Sequence, residues 1–320
     1  MFNFPIHTFS KNTLGASLIP KELWEVPEPP AVIQVQGNPE ALQLLEYLPY
    51  RGLAIVGTRN PQPRSVAWLS QQIAELEGSQ LVILSGLARG IDAAAHEAAL
   101  KAGLRTIGIL GAGLDIDYPK ENHELRNKIL EAGGLIISEF PLKMPIRGFH
   151  FIKRNRLIAG WTQETWVVEA GLRSGSLNTA RWAREANRTC FAVPSFPKDP
   201  FFAGNQTLLD RDHALAYWGT HSLGAVWMEL ISHSERTSKQ TAGSKVSPKA
   251  SQTRLEPSSD EDHLHSQVNV LCSLYGGARE DILLHWALNR GWTTERFFQV
   301  LNEIRRLNRV IEHRGSIVSV

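Results

Sequence analysis

Cations and aromatic rings are concentrated in the stretch of residues 149–175. A protein binds a polyanion that carries flat bases through cations and through aromatic faces on which the bases stack. The stretch therefore indicates single-stranded nucleic acid, and the alternative interpretation is a solvated basic loop beside an ordinary core strand. The residues that carry the pattern are Phe149, Phe151, Lys153, Arg154, Asn155 and Arg156.

The charge distribution supports the first interpretation better than the total charge does. The whole chain of 320 residues has a net charge of only +2. Between Lys143 and Arg188, however, nine Lys or Arg face three Glu, which gives this window a net charge of +6. A local field of that size can steer an anion toward the surface.

Apolar runs of strand length alternate with amphipathic segments from residue 53 onward. Continuous apolar strands separated by helices are typical of a parallel sheet that is covered on both faces. The expected fold class is therefore α/β, with an extended Rossmann-like, doubly wound and mostly parallel sheet. The predicted strands are Leu53–Val56, Leu81–Leu84, Thr106–Leu110, Leu135–Ile137, Thr165–Val168 and Cys190–Val193, and the predicted helices are Pro63–Glu77, Ile91–Lys101, Glu121–Ala132 and Ser176–Ala186.

Small residues follow four of these strands at the edge where such sheets bind ligands. Glycine lets the backbone approach an anion closely, and the next helix favours negative charge at its N-terminus. Four such turns on one edge are hard to explain by turn chemistry alone. The candidate phosphate-binding residues in these turns are Gly57, Thr58, Arg59, Ser85, Gly86, Gly111, Gly113, Ser174, Gly175 and Ser176.

Other polar residues near these turns are better explained by structure than by catalysis. The glycines of Gly108–Gly113 have the wrong spacing for a dinucleotide fingerprint. Asp92 and His96 lie four residues apart on one helix, where a helix-start aspartate and a structural histidine are the expected pair. Glu139 and Glu169 each follow a strand, and we expect both to accept hydrogen bonds from loop backbone. The sequence therefore predicts no catalytic residue, metal site or cofactor.

The composition indicates a reducing compartment and no membrane. The two cysteines lie far apart without metal-ligand spacing, and the N-terminus does not resemble a signal peptide. No apolar run approaches the length that spans a bilayer. These features predict a cytoplasmic protein.

Four segments are predicted along the chain. Residues 1–50 form an N-terminal arm or cap, residues 51–232 the Rossmann-like domain, and residues 233–262, rich in Ser, Thr, Lys and Pro, a flexible linker. Residues 263–320 are expected to form a small winged-helix domain that contacts duplex DNA or protein. Its predicted elements are helices Val268–Tyr275, Arg279–Leu288 and Thr294–Leu307 and strands Val310–His313 and Ser316–Val320.

The motifs in the turns resemble those of the DprA/Smf family of DNA-processing proteins. The likeness covers about residues 20–220, with the motifs in order, and the linker and winged helix resemble the common family layout. The motifs are IVGTR (Ile55–Arg59), SGLARGIDAAAH (Ser85–His96), LGAGLDIDYP (Leu110–Pro119), SEFP (Ser138–Pro141), KRNRLIAG (Lys153–Gly160), VVEAGLRSGSLNTA (Val167–Ala180) and the lead-in PPAVIQVQG (Pro29–Gly37).

The resemblance implies a homodimeric protein that protects incoming single-stranded DNA and loads the RecA recombinase during natural transformation, without catalytic turnover. It implies a DNA pocket built from the glycine turns and from Phe151, Lys153, Arg154, Asn155 and Arg156, with Ser174, Gly175 and Ser176 on the far side. The sequence departs from the family pattern at Ile152, Ser195, Gln206 and His213, which bears on the loops near the last strand.

Two other functions remain open on the sequence. Phosphoribohydrolases share this type of fold, but the run Gly171–Ala183 lacks the carboxylate that the related enzymes use. A nucleotide-sensing module that holds a small phosphorylated ligand in the same pocket is the other alternative.

Overall fold

The computed structural model describes residues 4–10, 19–217, 293–306, 310–313 and 316–319. The chain divides into two compact units, of which the first holds the described residues up to Tyr217 and the second those from Thr293 onward. In the described ranges, no helix combines the length and apolarity needed to cross a membrane.

The first unit is built on one nine-stranded, mostly parallel sheet. Its strand order is β1-β2-β6-β5-β4-β3-β7-β8-β9. The strands are β1 (Ile6–Ser10), β2 (Val32–Gln36), β3 (Gly52–Val56), β4 (Val82–Ser85), β5 (Arg105–Leu110), β6 (Leu135–Ser138), β7 (Glu164–Val167), β8 (Thr189–Ala192) and β9 (Leu215–Ala216). The predicted α/β class is confirmed, and the six predicted strands lie within one residue of the observed ones.

Helices cover both faces of this sheet. Side chains alternate between the two faces along each strand. Ala54 and Val56 of β3 pack in one cluster with residues of the second, sixth and seventh helices. Ile136 of β6 packs in another cluster with residues of the fifth helix. The α-helices are α1 (Lys21–Trp24), α2 (Leu44–Arg51), α3 (Pro63–Ala74), α4 (Ile91–Lys101), α5 (His123–Glu131), α6 (Gly148–Gly160), α7 (Ser176–Glu185) and α8 (Ala203–Asp210).

The order of the strands creates a switch point between β3 and β7. From β3 the chain adds β4, β5 and β6 on one side, and it then returns to add β7, β8 and β9 on the other. Ligands of open parallel sheets bind in the crevice at the carboxyl ends of the strands beside such a point. The turns after β3, β4, β5 and β7 are therefore correctly predicted to share one edge.

The N-terminal segment, predicted to form an arm or cap, contributes two strands to the sheet. β2 pairs antiparallel with β6, and β1 pairs antiparallel with β2. Arg126 on α5 is buried and donates to the side-chain oxygen of Gln36 at 2.6 Å, which holds β2 from the side. The domain boundaries of the first 50 residues remain a prediction.

Two further results concern parts of the sequence interpretation. The basic stretch around Lys153 belongs to α6 and not to the solvated loop of the alternative interpretation. In the second unit, the helix Thr294–Arg306 and the antiparallel strands Val310–His313 and Ser316–Ser319 match their predictions. The predicted linker and the helices Val268–Tyr275 and Arg279–Leu288 lie outside the described residues.

Candidate nucleic-acid interface

A cavity of about 210 Å³ lies at the carboxyl ends of β3, β4 and β5. Arg59 enters it from the turn after β3, Gly86 from the turn after β4, and Gly111 from the turn after β5. Phe151 closes one wall from α6. The remaining lining residues are Ala88, Arg89, Leu110, Ala112, Tyr118, Pro119 and Glu121.

The chemistry of this pocket centres on Arg59 and Phe151. The Arg59 guanidinium carbon lies 5.7 Å from the centre of the Phe151 ring, within the range of a cation–π contact. The Tyr118 ring lies 5.4 Å from the same ring and is tilted by 41°. A cation and two aromatic faces in one opening can bind a phosphate and stack on a base.

Most of the candidate glycines are required by internal packing rather than by a ligand. A Cβ on Gly57 would come within 2.5 Å of Ile91, and one on Gly113 within 2.5 Å of the Pro141 carbonyl oxygen. A Cβ on Gly86 would meet the guanidinium of Arg154 at 2.5 Å. Only the glycine at 111 faces the pocket aromatic, since its Cβ would lie 2.7 Å from the Phe151 ring.

Arg154 does not line the pocket itself but contacts the backbone of Gly86, which does. Its side chain is buried, and its Nη1 donates to the carbonyl oxygens of Gly86, at 2.8 Å, and Ile109. Asp92 Oδ2 accepts from the amide of Gly86 at 3.1 Å and from that of Ala88 at 3.4 Å. Burial lowers the pKa of Arg154 to about 10, against the opposing effect of Asp92, so the guanidinium stays charged at neutral pH.

Arg156 is also buried, which does not fit the phosphate contact predicted for it. Its side chain is only 1% exposed and forms a two-point ion pair with Glu139, at 2.5 and 2.8 Å. Its Nε donates to the carbonyl oxygen of Glu28 at 2.6 Å. With its donors satisfied inside the protein, Arg156 anchors α6 to the N-terminal segment.

Several other candidates do not line the pocket. Lys153 is about half exposed and lies 3.6 Å from Glu139, so it is the accessible cation of its motif. Asn155 is buried and donates to the Gly175 carbonyl oxygen at 3.3 Å. Ser174 and Ser176 contact each other through their hydroxyls at 3.1 Å, and the buried Ser85 hydroxyl donates to the Ile55 carbonyl oxygen. These residues brace the turns.

The other carboxylates and the histidine have structural contacts. Glu169 is fully buried and accepts from the backbone amide of Gln62 at 3.0 Å, as expected. Glu139 instead binds Arg156, which corrects the loop contact predicted for it. Thr106 donates its hydroxyl proton to Ile83, so His96 Nδ1, 2.6 Å away, donates to the Thr106 oxygen.

His96 gives the fold a pH dependence. Burial, together with the charge of Arg154, lowers the pKa of His96 from 6.5 to about 3. Below pH 6.5 the unfolded chain therefore binds a proton at this residue that the folded chain does not. The free energy of unfolding consequently decreases as the pH is lowered, by up to about 1.4 kcal/mol per pH unit. Urea denaturation between neutral pH and pH 5 is expected to show a shallower fall for His96→Gln than for wild type; equal slopes would contradict this assignment.

Two pocket residues were not predicted as site residues from the sequence. Arg89 is exposed and lies 3.7 Å from Glu121, and Tyr118 precedes a proline. Both occur in motifs that the sequence singled out, but only the packing of the turns after β4 and β5 brings them to Phe151. In the described ranges, no group of three or more His, Cys, Asp or Glu is placed to hold a metal ion.

Comparison with known proteins gives one consistent result. The sequence profile of the family described as DNA recombination-mediator protein A matches residues 12–224. Protein Smf of Synechocystis sp. is 43% identical over 216 residues, which cover 65% of this chain and 52% of that protein. The match therefore spans about half the length of this relative.

Two solved structures share the fold. DNA processing protein A (DprA) from Streptococcus pneumoniae has a TM-score of 0.59 and 36% identity over 68% of this chain and 72% of that one. DNA processing protein A from Helicobacter pylori, solved in a study of its single-stranded DNA binding mode, has a TM-score of 0.59 and 27% identity over 73% of this chain and 98% of that one. The chain belongs to the DNA recombination-mediator protein A family.

Proposed function

We propose that the pocket at the ends of β3, β4 and β5 binds single-stranded DNA. Arg59 contacts a phosphate, Phe151 stacks on a base, and the half-exposed Lys153 on α6 adds positive charge outside the pocket. The observation that carries the proposal is the exposed Arg59 guanidinium over the Phe151 ring, with no carboxylate of the described residues in ion-pairing distance of it. The H. pylori relative, studied for its single-stranded DNA binding mode, supports the same ligand class.

The resemblance to the family extends this proposal to recombination. The protein acts as a homodimer in the cytoplasm, protects incoming strands and loads the RecA recombinase on them in natural transformation, without catalytic turnover. Family membership supports this role. The helix and hairpin of the second unit support a winged helix within residues 263–320, after a linker at 233–262.

The test is binding of labelled oligo-dT and of a duplex, by fluorescence anisotropy, over a range of salt concentrations. Arg59→Ala is expected to weaken oligo-dT binding and to reduce the slope of log affinity against log salt by about 0.7, the value for one phosphate contact on a single strand. The protein is expected to prefer the single strand.

Arg105→Ala is the matched control. Arg105 is exposed but lies at the start of β5, on the opposite edge of the sheet, so its variant is expected to keep the wild-type slope. An unchanged slope in Arg59→Ala would remove this arginine from the interface. Competition by free nucleotides at low concentration would favour the sensing module, and release of base from nucleoside monophosphates would favour the phosphoribohydrolase.

A further inference from the structure

A second, larger cavity lies at the carboxyl ends of β7 and β8. Its volume is about 510 Å³, within the range of ligand sites in proteins. The wall is apolar and aromatic, with a single cation at one side. The residues that define it are Arg64 and Trp68 on α3, Val168 after β7, and Val193, Phe196 and Phe202 after β8.

The aromatic side chains of this cavity are available to a ligand. Phe196 is 81% exposed, which is far from the usual state of a phenylalanine in a folded domain. The ring of Trp68 is half-buried and packs edge-on against Tyr217, with 5.5 Å between ring centres. One aromatic ring is therefore accessible to a ligand, and the other is packed against the core.

A cation accompanies the rings, as in the first pocket. The Arg64 guanidinium lies 5.6 Å from the centre of the Phe202 ring. Its partner is Asp199, at 2.5 Å, so this arginine is neutralised and its planar group offers a stacking surface more than a net charge. The cavity is thus suited to flat, weakly charged rings rather than to a free phosphate.

The loop between β3 and α3 connects the two cavities. Arg59 near its start lines the first cavity, and Arg64 just after its end lines the second. β4 and β8 are separated by three strand steps across β3 and β7. At the usual spacing of strands, the ends of β4 and β8 are therefore about 14 Å apart along one sheet edge. A single extended nucleic-acid strand can reach both.

We propose that the second cavity is a base-stacking subsite for the same DNA strand, with Phe196 and Trp68 as its aromatic faces. This inference rests on the function proposed for the first pocket, and it adds that bases further along the strand contact a separate aromatic surface. Short oligonucleotides then occupy only the first pocket, and longer ones gain affinity from the second.

The test measures the affinity of the full chain for oligo-dT from about 4 to about 16 nucleotides, the range of site sizes in single-strand binding folds. Wild-type affinity is expected to rise with length. Phe196→Leu keeps an apolar side chain but removes the ring, and we expect it to lose roughly 5- to 150-fold with the long oligonucleotides and nothing with the short ones. Phe196→Tyr keeps the ring and is expected to bind like wild type.

Two controls separate base stacking in this cavity from a general effect of losing an exposed ring. Tyr47→Leu removes an exposed ring on α2, and it is expected to bind every length like wild type. Quenching of tryptophan emission by long oligo-dT is expected to be smaller in Trp68→Phe than in wild type. This second readout does not depend on the Phe196 variants.

Several results would overturn the inference. Wild-type affinity of Phe196→Leu at all lengths shows that the ring does not contact DNA. Equal losses at short and long lengths show that there is no second subsite. A change of oligomeric state in light scattering, with DNA affinity unchanged, assigns the surface to contact between protein chains. If short oligo-dT fails to bind and Arg59→Ala has no effect, the proposed function itself fails, and this inference fails with it.

Discussion

Replacing Arg154 by methionine is expected to reduce the free energy of unfolding by about 3–5 kcal/mol, as loss of one of two interacting buried charges does. The reason is Asp92, which is buried beside Arg154 and whose pKa is already raised by burial. Without the guanidinium that opposes this effect, the carboxyl would be left uncompensated, which costs stability whether it stays charged or takes up a proton. The two carbonyl oxygens that Arg154 caps, those of Gly86 and Ile109, would also lose their donor. Urea denaturation at neutral pH measures the loss.

Two variants make this prediction specific. Adding Asp92→Asn to Arg154→Met removes the orphaned charge but keeps an oxygen that can accept from the Gly86 amide, so part of the stability is expected to return. Lys153→Met changes the preceding cation, which is about half exposed, and we expect an effect of no more than about 1 kcal/mol. Equal losses of stability in Arg154→Met and Lys153→Met would contradict the stabilising role of the buried Arg154 side chain.

The same variants also separate positioning from direct DNA contact. A phosphate contact contributes to the salt dependence of binding, whereas a buried arginine that fixes the Gly86 turn does not. Under conditions in which Arg154→Met is folded, the variant is expected to bind oligo-dT more weakly than wild type. The slope of its log affinity against log salt is expected to equal that of wild type. A reduced slope would show that the guanidinium reaches the DNA.

Replacing Arg156 by methionine is expected to cost about 3–5 kcal/mol of stability, because the Glu139 side chain, only 6% exposed, would keep only the half-exposed Lys153, at 3.6 Å, as a counterion. A local effect accompanies the global one. Arg156 donates to the Glu28 carbonyl oxygen, and Glu28 has a φ of 51°, a conformation that is unfavourable for a side-chain-bearing residue. Loss of that donor is expected to release the segment around Glu28.

Hydrogen exchange followed by mass spectrometry measures this release. Peptides that contain Glu28 are expected to exchange by local opening in Arg156→Met, before the peptides from β4, whose exchange reports global unfolding. The double variant Arg156→Met, Glu139→Gln is expected to recover part of the global stability but not the protection at Glu28. Unchanged exchange there would contradict the anchoring role.

The strands and the four turns were predictable because their signals are local. A continuous apolar run such as Leu53–Val56 followed by Gly57 and Thr58 predicts a buried strand and a β–α turn without knowledge of the partners. Regular alternation of these runs with helices then fixes a parallel sheet. The shared edge follows, and with it the meeting of Arg59, Gly86 and Gly111.

The role of α6 was not predictable in the same way. Its buried positions include Arg154 and Arg156, so the apolar periodicity that marks a helix is interrupted by charges. Arginine is almost never fully buried unless it is paired. Its partners, Asp92 and Glu139, come from distant parts of the chain. Sequence alone therefore assigned all the cations of the motif to the ligand, whereas the fold leaves Lys153 as the exposed one.

The placement of β1 and β2 has a consequence for work with shortened forms of this protein. β6 is bordered on one side by β5 and on the other only by β2. Removing the first 40 residues would leave its amide and carbonyl groups unpaired along an open border, which is a template for association with other chains. Aggregation of a truncated variant would therefore reflect the exposed edge of β6. It would not show that the DNA pocket had been damaged.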